Sequence, residues 1–186
     1  MLKQTRMPLI KRLASQNADA YPAFRLRGFR EYPGAFTSDY EQECTRPAAY
    51  AEQPLTNPLS DKIWGAFIGT ELAGMIGLKP ETRQKNKHKA MLFGMFAAPE
   101  FAGRGLGLDL VQEMLADARK HAIEVIVLTV TEGNKPATDL YEKCAFSAFG
   151  TQSDAICVDG ISYSKTHMPC RLQGEVHSAL KCAGSA

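Results

Sequence analysis

The residues best placed for chemistry form the turn Gly103-Arg104-Gly105-Leu106-Gly107. An apolar run, Met91 to Ala98, leads through Pro99 into this turn, and a helical pattern begins directly after it. Strand, glycine turn and helix N-terminus together make a backbone cradle for a phosphate. Glycine lets the chain wrap close to a ligand, and the N–H groups of the first helical turn point at an anion. Two other residues carry usable groups. Asn134 stands where its side-chain oxygen would cap a helix. Tyr141 lies on the stripe Ala137, Leu140, Tyr141, Cys144, where periodicity by itself favours a core aromatic. A phenol of pKa ~10 is protonated at neutral pH and can give its proton to a leaving group.

Counting glycines narrows the ligand. A nucleotide P-loop needs G-x-x-x-x-G-K followed by Ser or Thr, and the chain has none. A dinucleotide fingerprint counted from Gly103 would need its third glycine at Leu108. Glu132 stands where a ribose-binding acid would sit in that fold, but the strands before Met91 read as a hairpin rather than a dinucleotide-binding start.

The elements that must position these groups are legible in outline. Residues 10–13 read as a first strand, 17–32 as a helix capped by Asn17 or Asp19, and 38–51 as a second, weaker helix before Pro47. Pro54 and Pro58 mark a loop. Strands 62–69 and 72–78 form a hairpin around Gly69-Thr70-Glu71, and strand 90–98 follows a basic loop. Helix 105–121 buries Leu106, Leu110, Val111, Met114, Leu115 and Ala118 on one stripe. Strand 123–130 is rich in β-branched residues, a short helix begins at Asn134, and 146–152 and 161–168 close as a strand pair. The order β-α-α-β-β-β-α-β-α-β-β predicts a single α/β domain of the α+β kind, with a mixed sheet flanked by helices.

Bulk properties exclude several classes. A net charge of +2 is too small to argue for nucleic acid or an anionic membrane surface. No apolar run approaches the ~20 residues of a membrane helix. The cysteines are odd in number, five, without a C-x-x-C pair, which suits free thiols in a reducing compartment. Cys157, His167, Cys170, His177 and Cys182 fall near the C-terminus, but their spacing matches no standard zinc finger. The basic residues before Asp19 are compatible with a transit peptide, a reading that Pro8 and the strand at residues 10–13 oppose.

The glycine turn also resembles a family motif. Residues 102–107 (AGRGLG) resemble the Gln/Arg-x-x-Gly-x-Gly/Ala turn of the GNAT superfamily of acyl-CoA-dependent N-acyltransferases. Residues 95–107 (MFAAPEFAGRGLG) are similar to that family's strand, proline and turn, and 134–146 (NKPATDLYEKCAF) to its second signature, N-x-x-A-x-x-L-Y-x-x-x-G-F. Residues 17–36 resemble the first helix of several members, so the likeness covers most of 10–168. Two positions depart from the pattern: Ala102 replaces the usual Gln or Arg, and Ala145 the usual glycine.

The resemblance implies a GNAT-like domain over 10–170, after a loose leader 1–9 and before a flexible tail 171–186. The sheet would be mostly antiparallel, with strand 91–98 splayed from strand 123–130. It implies acetyl-CoA as cosubstrate and no metal. Backbone groups of Met95, Phe96 and Ala97 would hold the pantetheine arm and acyl carbonyl, and the N–H groups of Gly103, Arg104, Gly105, Leu106 and Gly107 the pyrophosphate. Asn134 would lie beside the arm, its other role being the helix cap. Tyr141 would be the general acid for the leaving thiolate. The acceptor would be a primary amine on a small molecule or peptide, attacked directly and without a covalent enzyme intermediate. The expected setting is cytoplasmic, with no nucleic-acid or membrane partner, and homodimers are common among relatives. The general base is not identified; Glu31, Asp39, Glu100, Glu132 and His88 stand as candidates. A non-catalytic acyl-CoA-binding regulatory domain of the same fold, and a nucleotide-binding oxidoreductase, are the alternatives.

Overall fold

Seven strands form one mixed sheet, ordered β1-β2-β3-β4-β5-β7-β6, in a computed structural model that describes residues 7–57 and 61–172. The strands are β1 (Leu9–Arg12), β2 (Lys62–Ile68), β3 (Glu71–Pro80), β4 (Lys89–Ala97), β5 (Val125–Thr131), β6 (Gly150–Val158) and β7 (Ile161–Arg171). The helices are α1 (Ala20–Glu31), α2 (Tyr40–Cys44), α3 (Ala48–Thr56), α4 (Leu106–Lys120) and α5 (Lys135–Lys143). Every neighbouring pair is antiparallel except β4 and β5, which run parallel and are joined through α4. A parallel pair needs such a crossover because a tight turn can only reverse the chain.

The sheet is covered on both faces. The α4 stripe is buried in full, packing Leu110, Val111 and Met114 against Ile76, Leu92, Ile126 and Met168. The other face holds Tyr21 and Phe24 of α1 and Leu55 of α3 against Ile63, Phe67, Met75 and Phe96. Each fully buried large side chain contributes about 1.5–3 kcal/mol, so both layers anchor β4 firmly.

Three departures from the sequence expectation have physical causes. Residues 38–51 hold not one helix but two. Asp39 caps α2 by accepting from the Gln42 N–H at 2.9 Å, and Pro47 opens α3. The second of these, α3, then runs through Pro54, where a loop is expected; burial of Leu55 offsets the bond that the proline cannot donate. Neither expected cap serves α1. Asn17 is buried in a 3-10 turn and accepts from the Ala14 N–H at 3.2 Å, and Asp19 makes no capping bond. The closing hairpin is longer and later than expected, turning at Asp159-Gly160 with φ of 51° and 77°. Because β6 is largely exposed, it lacks the apolar alternation that would have marked it.

The leader and tail assigned from sequence fall mostly on residues 1–6 and 173–186, outside the described residues. At their inner edges, β1 already begins at Leu9, and β7 continues to Arg171 with Leu172 buried. Among the described residues, no helix is long and apolar enough to cross a membrane. No three His, Cys, Asp or Glu side chains come together among them either; His177 and Cys182 lie outside them.

Candidate active site

The parallel strands β4 and β5 pair over three residues only, Lys89 with Val125, Ala90 with Ile126 and Met91 with Val127. Beyond Met91 the edge of β4 that faces β5 is open. The opening coincides with a bulge. Met75 of β3 faces Phe96 and Gly77 faces Phe93, so Gly94 and Met95 together oppose Ile76. Gly94 has φ of +61°, a conformation that glycine adopts without strain. An extra residue bends the strand, re-aims its backbone groups and widens the gap.

Past the open edge the chain turns through Pro99–Phe101 into the glycine turn. Gly103 and Gly105 sit at φ of 75° and 76°, both left-handed, with open space where a Cβ would be. Gly105 occupies the N-cap position of α4 and makes no side-chain cap. The first N–H groups of α4 have no intrahelical acceptor and none from the N-cap side chain, an arrangement suited to an anion. The turn lines a cavity of about 440 Å³ together with Ala97, Phe101, Leu140 and Lys143. Two cations serve it: Lys143 on the wall, and Arg104, whose guanidinium rests over the Phe101 ring at 5.4 Å.

The second signature folds into α5 and its exits. Asn134 Oδ1 accepts from the Ala137 N–H at 3.2 Å, so the cap that its side chain could make is made. Tyr141 is 5% exposed and packs edge-on against Phe146 with ring centroids 5.7 Å apart. Burial, with a smaller push from Cys144, raises its phenol well above the ordinary range and keeps the proton on at neutral pH. Tyr141 is not among the residues lining either of the two cavities described here. After α5 the Ala145 N–H donates to the Glu142 carbonyl and the Phe146 N–H to the Tyr141 carbonyl, both at 3.0 Å. This is the Schellman exit, which requires a left-handed residue, and Ala145 takes φ of 67° there. The alanine thus keeps the glycine's conformation at a cost in strain.

A second cavity, about 550 Å³, opens on the sheet face that carries α1 and α3. Tyr21, Phe29, Phe36 and Phe93 give it aromatic walls, and Arg25, Asp61, Lys79 and Lys165 give it charge. Burial pushes the Tyr21 phenol up to about 12, against the lowering effect of Arg25. Burial likewise raises the Asp61 carboxyl, which the charge on Lys79 partly offsets. The two cavities flank the bulged stretch of β4: Gly94 lines one and Ala97 the other. Three steps along the strand separate Gly94 from Ala97, roughly 10 Å.

The sequence model of the Acetyltransferase (GNAT) family matches residues 14–146. The chain belongs to the GNAT acetyltransferase family. Among solved structures it is similar to a GNAT-family acetyltransferase from Streptococcus pneumoniae, at 22% identity over 89% of this chain and 99% of that one, with a TM-score of 0.80. A putative acetyltransferase from Salmonella typhimurium, solved with its cofactor acetyl-CoA, is 16% identical over 94% and 98% of the two chains, with a TM-score of 0.75. A ribosomal-protein-alanine N-acetyltransferase from Brucella melitensis is 18% identical over 88% and 99%, with a TM-score of 0.73. At these identities the likeness is one of fold. No curated protein sequence matches the chain.

Within this GNAT fold, the site residues named from sequence fall in three places. Gly103, Arg104, Gly105, Leu106 and Gly107 wall the smaller cavity with Ala97. Met95 lies in the bulge and Phe96 follows it, and the Phe96 ring turns away into the core against Phe24, centroids 4.9 Å apart. Asn134 and Tyr141 stand on α5 beyond the end of β5.

The candidate bases fare less well as a group. Glu100 is held by Arg27 through bonds of 2.7 and 2.8 Å, and Glu31 by the same guanidinium at 2.7 Å. Asp39 is a helix cap, and the His88 carbonyl takes the Glu124 and Val125 N–H groups where β4 and β5 still pair. None of the five is among the residues lining the larger cavity. Asp61 does line it, and sequence reading passed over it as a loop residue before β2. Lys143 and Lys165 were missed for the same reason: a lone charge outside a motif carries no signal until the fold places it.

Proposed function

We propose that the protein transfers an acetyl group from acetyl-CoA to a primary amine by direct attack of the amine on the thioester. The observation that carries this reading is the open, bulged edge of β4 between an uncapped helix N-terminus and a separate charged cavity. The glycine turn would take the pyrophosphate on the N–H groups of residues 103–107, with Arg104 and Lys143 adding positive charge. Backbone groups of Met95, Phe96 and Ala97 would align the pantetheine arm and donate to the acyl oxygen as charge develops on it. Acetyl-CoA supplies an activated acyl carbon and a thiolate leaving group. The larger cavity would hold the amine against that carbon, which removes most of the entropic barrier.

Two proton movements complete the reading. A lysine-like amine is only about one part in a thousand neutral at pH 7, so it must lose a proton on binding. Asp61, the carboxylate among the larger cavity's described lining residues, is raised toward a working base by its burial. Tyr141 would return a proton to the leaving thiolate, with Asn134 near the arm. The four described cysteines are free thiols, in keeping with a cytoplasmic setting, and a homodimer is the proposed assembly.

Calorimetry with acetyl-CoA, followed by a panel of amines with thiol detection, tests the proposal. Saturable binding and thiol release with at least one amine are expected. Absence of acetyl-CoA binding to the folded protein would refute it. A second reading, a regulatory domain that binds acyl-CoA without turnover, draws on the absence of Tyr141 from both cavity linings. It predicts binding with no thiol release across the panel.

A further inference from the structure

The larger cavity holds a cation that forms no ion pair among the described residues. Lys165 lies on β7, directly opposite Thr131 of β5 and Gln152 of β6, and is 7% exposed. Lysine is rarely buried to this degree unless it is paired. Its Nζ donates to Thr37 Oγ1 at 2.6 Å, which uses one of three N–H bonds. Among the described residues it forms no ion pair, and burial lowers its pKa. The other cations of the cavity wall are engaged. Arg25 Nη1 is 2.6 Å from Glu43 Oε2, and Lys79 is close enough to Asp61 to act on its carboxyl. Thr131, whose side chain shares the face of Lys165 by strand register, has a buried hydroxyl without a partner among the described residues. A buried charge and a buried hydroxyl that the protein leaves unmatched are both expensive.

We propose that the acceptor amine also carries a carboxylate, and that Lys165 binds it at the floor of the larger cavity. The inference rests on the transferase reading above and names its substrate class. A carboxylate reaching Nζ supplies the charge that the protein omits, in a desolvated place where a charge-assisted hydrogen bond is strong. The remaining walls, Tyr21, Phe29, Phe36 and Phe93, suit an apolar body. A volume of about 550 Å³ fits a small molecule. The class is therefore free amino acids with apolar side chains. Protein N-termini and lysine side chains within a polypeptide are disfavoured, since neither has a free carboxylate beside its amine.

The test compares phenylalanine and leucine with their amides, using the full chain. Thiol release with acetyl-CoA gives turnover, and calorimetry on the CoA-loaded protein gives binding. The amides have the less basic and more readily deprotonated amines, so a preference for the acids must come from the carboxylate. The acids are expected to exceed the amides at least tenfold in kcat/KM and to bind more tightly. Lys165→Met is expected to remove that preference while acetyl-CoA affinity holds, which also reports an intact fold; Lys165→Gln serves as the second variant. Equal use of acid and amide by the unaltered protein, or a preference that survives both variants, overturns the inference and leaves the transferase reading standing. So does reaction with peptide N-termini when the free acids neither bind nor react. Binding of the acids that depends on Lys165, without thiol release, upholds the carboxylate site and overturns the transferase reading instead.

Discussion

Arg27 of α1 grips Glu100 through two nearly equal hydrogen bonds, Nη1 to Oε1 at 2.7 Å and Nη2 to Oε2 at 2.8 Å. The pair ties the helix that walls the larger cavity to the short turn that leads into the glycine loop. A bidentate guanidinium–carboxylate pair fixes orientation as well as distance.

The clamp has a pH signature. Hydrogen bonds from Arg27 pull the Glu100 carboxyl down to about 2. A depressed acid binds its proton less readily folded than unfolded, so its stabilisation is present above the ordinary carboxylate range. It is lost as pH falls from about 5 toward about 2. Both groups face water, so the effect is modest and shrinks in high salt. Urea midpoints measured across this range should fall more steeply for the unaltered protein than for Glu100→Gln. Parallel curves would show that the clamp is energetically silent.

Gly105→Ala should weaken acetyl-CoA binding about tenfold, because a left-handed alanine costs roughly 1–2 kcal/mol and the free turn relaxes to a conformation that binding must reverse. The residue has φ of 76° and open space around its missing Cβ, so the penalty comes from the backbone alone. Gly107→Ala is the contrast. There the new Cβ would meet the ends of flexible side chains, Leu140 at 3.0 Å and Met95 at 3.1 Å, which can shift. Calorimetry on both variants should rank Gly105→Ala as the more damaging.

Tyr141→Phe should reduce turnover by about 10²–10⁴, the usual contribution of a positioned acid, with acetyl-CoA affinity held. Steady-state thiol release and calorimetry separate the two quantities. A variant as active as its parent would return Tyr141 to the role of a core aromatic packed on Phe146.

Ala145→Gly should stabilise the protein by roughly 1 kcal/mol. The change relieves a left-handed alanine, at φ of 67°, in a helix exit that keeps both of its bonds. Chemical denaturation gives the sign directly; a loss of stability would mean that the strain is already absorbed elsewhere.

Local chemistry made part of this protein readable from its residues alone. The α4 stripe from Leu106 to Ala118 was legible because a 3.6-residue period exposes one face to a core whatever that core is. The glycine turn was legible because left-handed backbone and an uncapped helix start are properties of a few consecutive residues. Helix limits around Pro47 and Pro54 were not, since burial of Leu55 outweighs the proline's local preference. The late closing hairpin escaped because an exposed strand has no apolar alternation to show. The larger cavity was beyond sequence altogether. Lys165, Thr37 and Asp61 are far apart in the chain, and only the register of β5 against β7 and the packing of α1 and α3 over the sheet bring them to one wall. Sequence by itself thus determined the glycine turn and the helix start that follows it, which are built from contiguous backbone. Tertiary structure decided the larger cavity, because its charge balance depends on which distant groups the fold brings together.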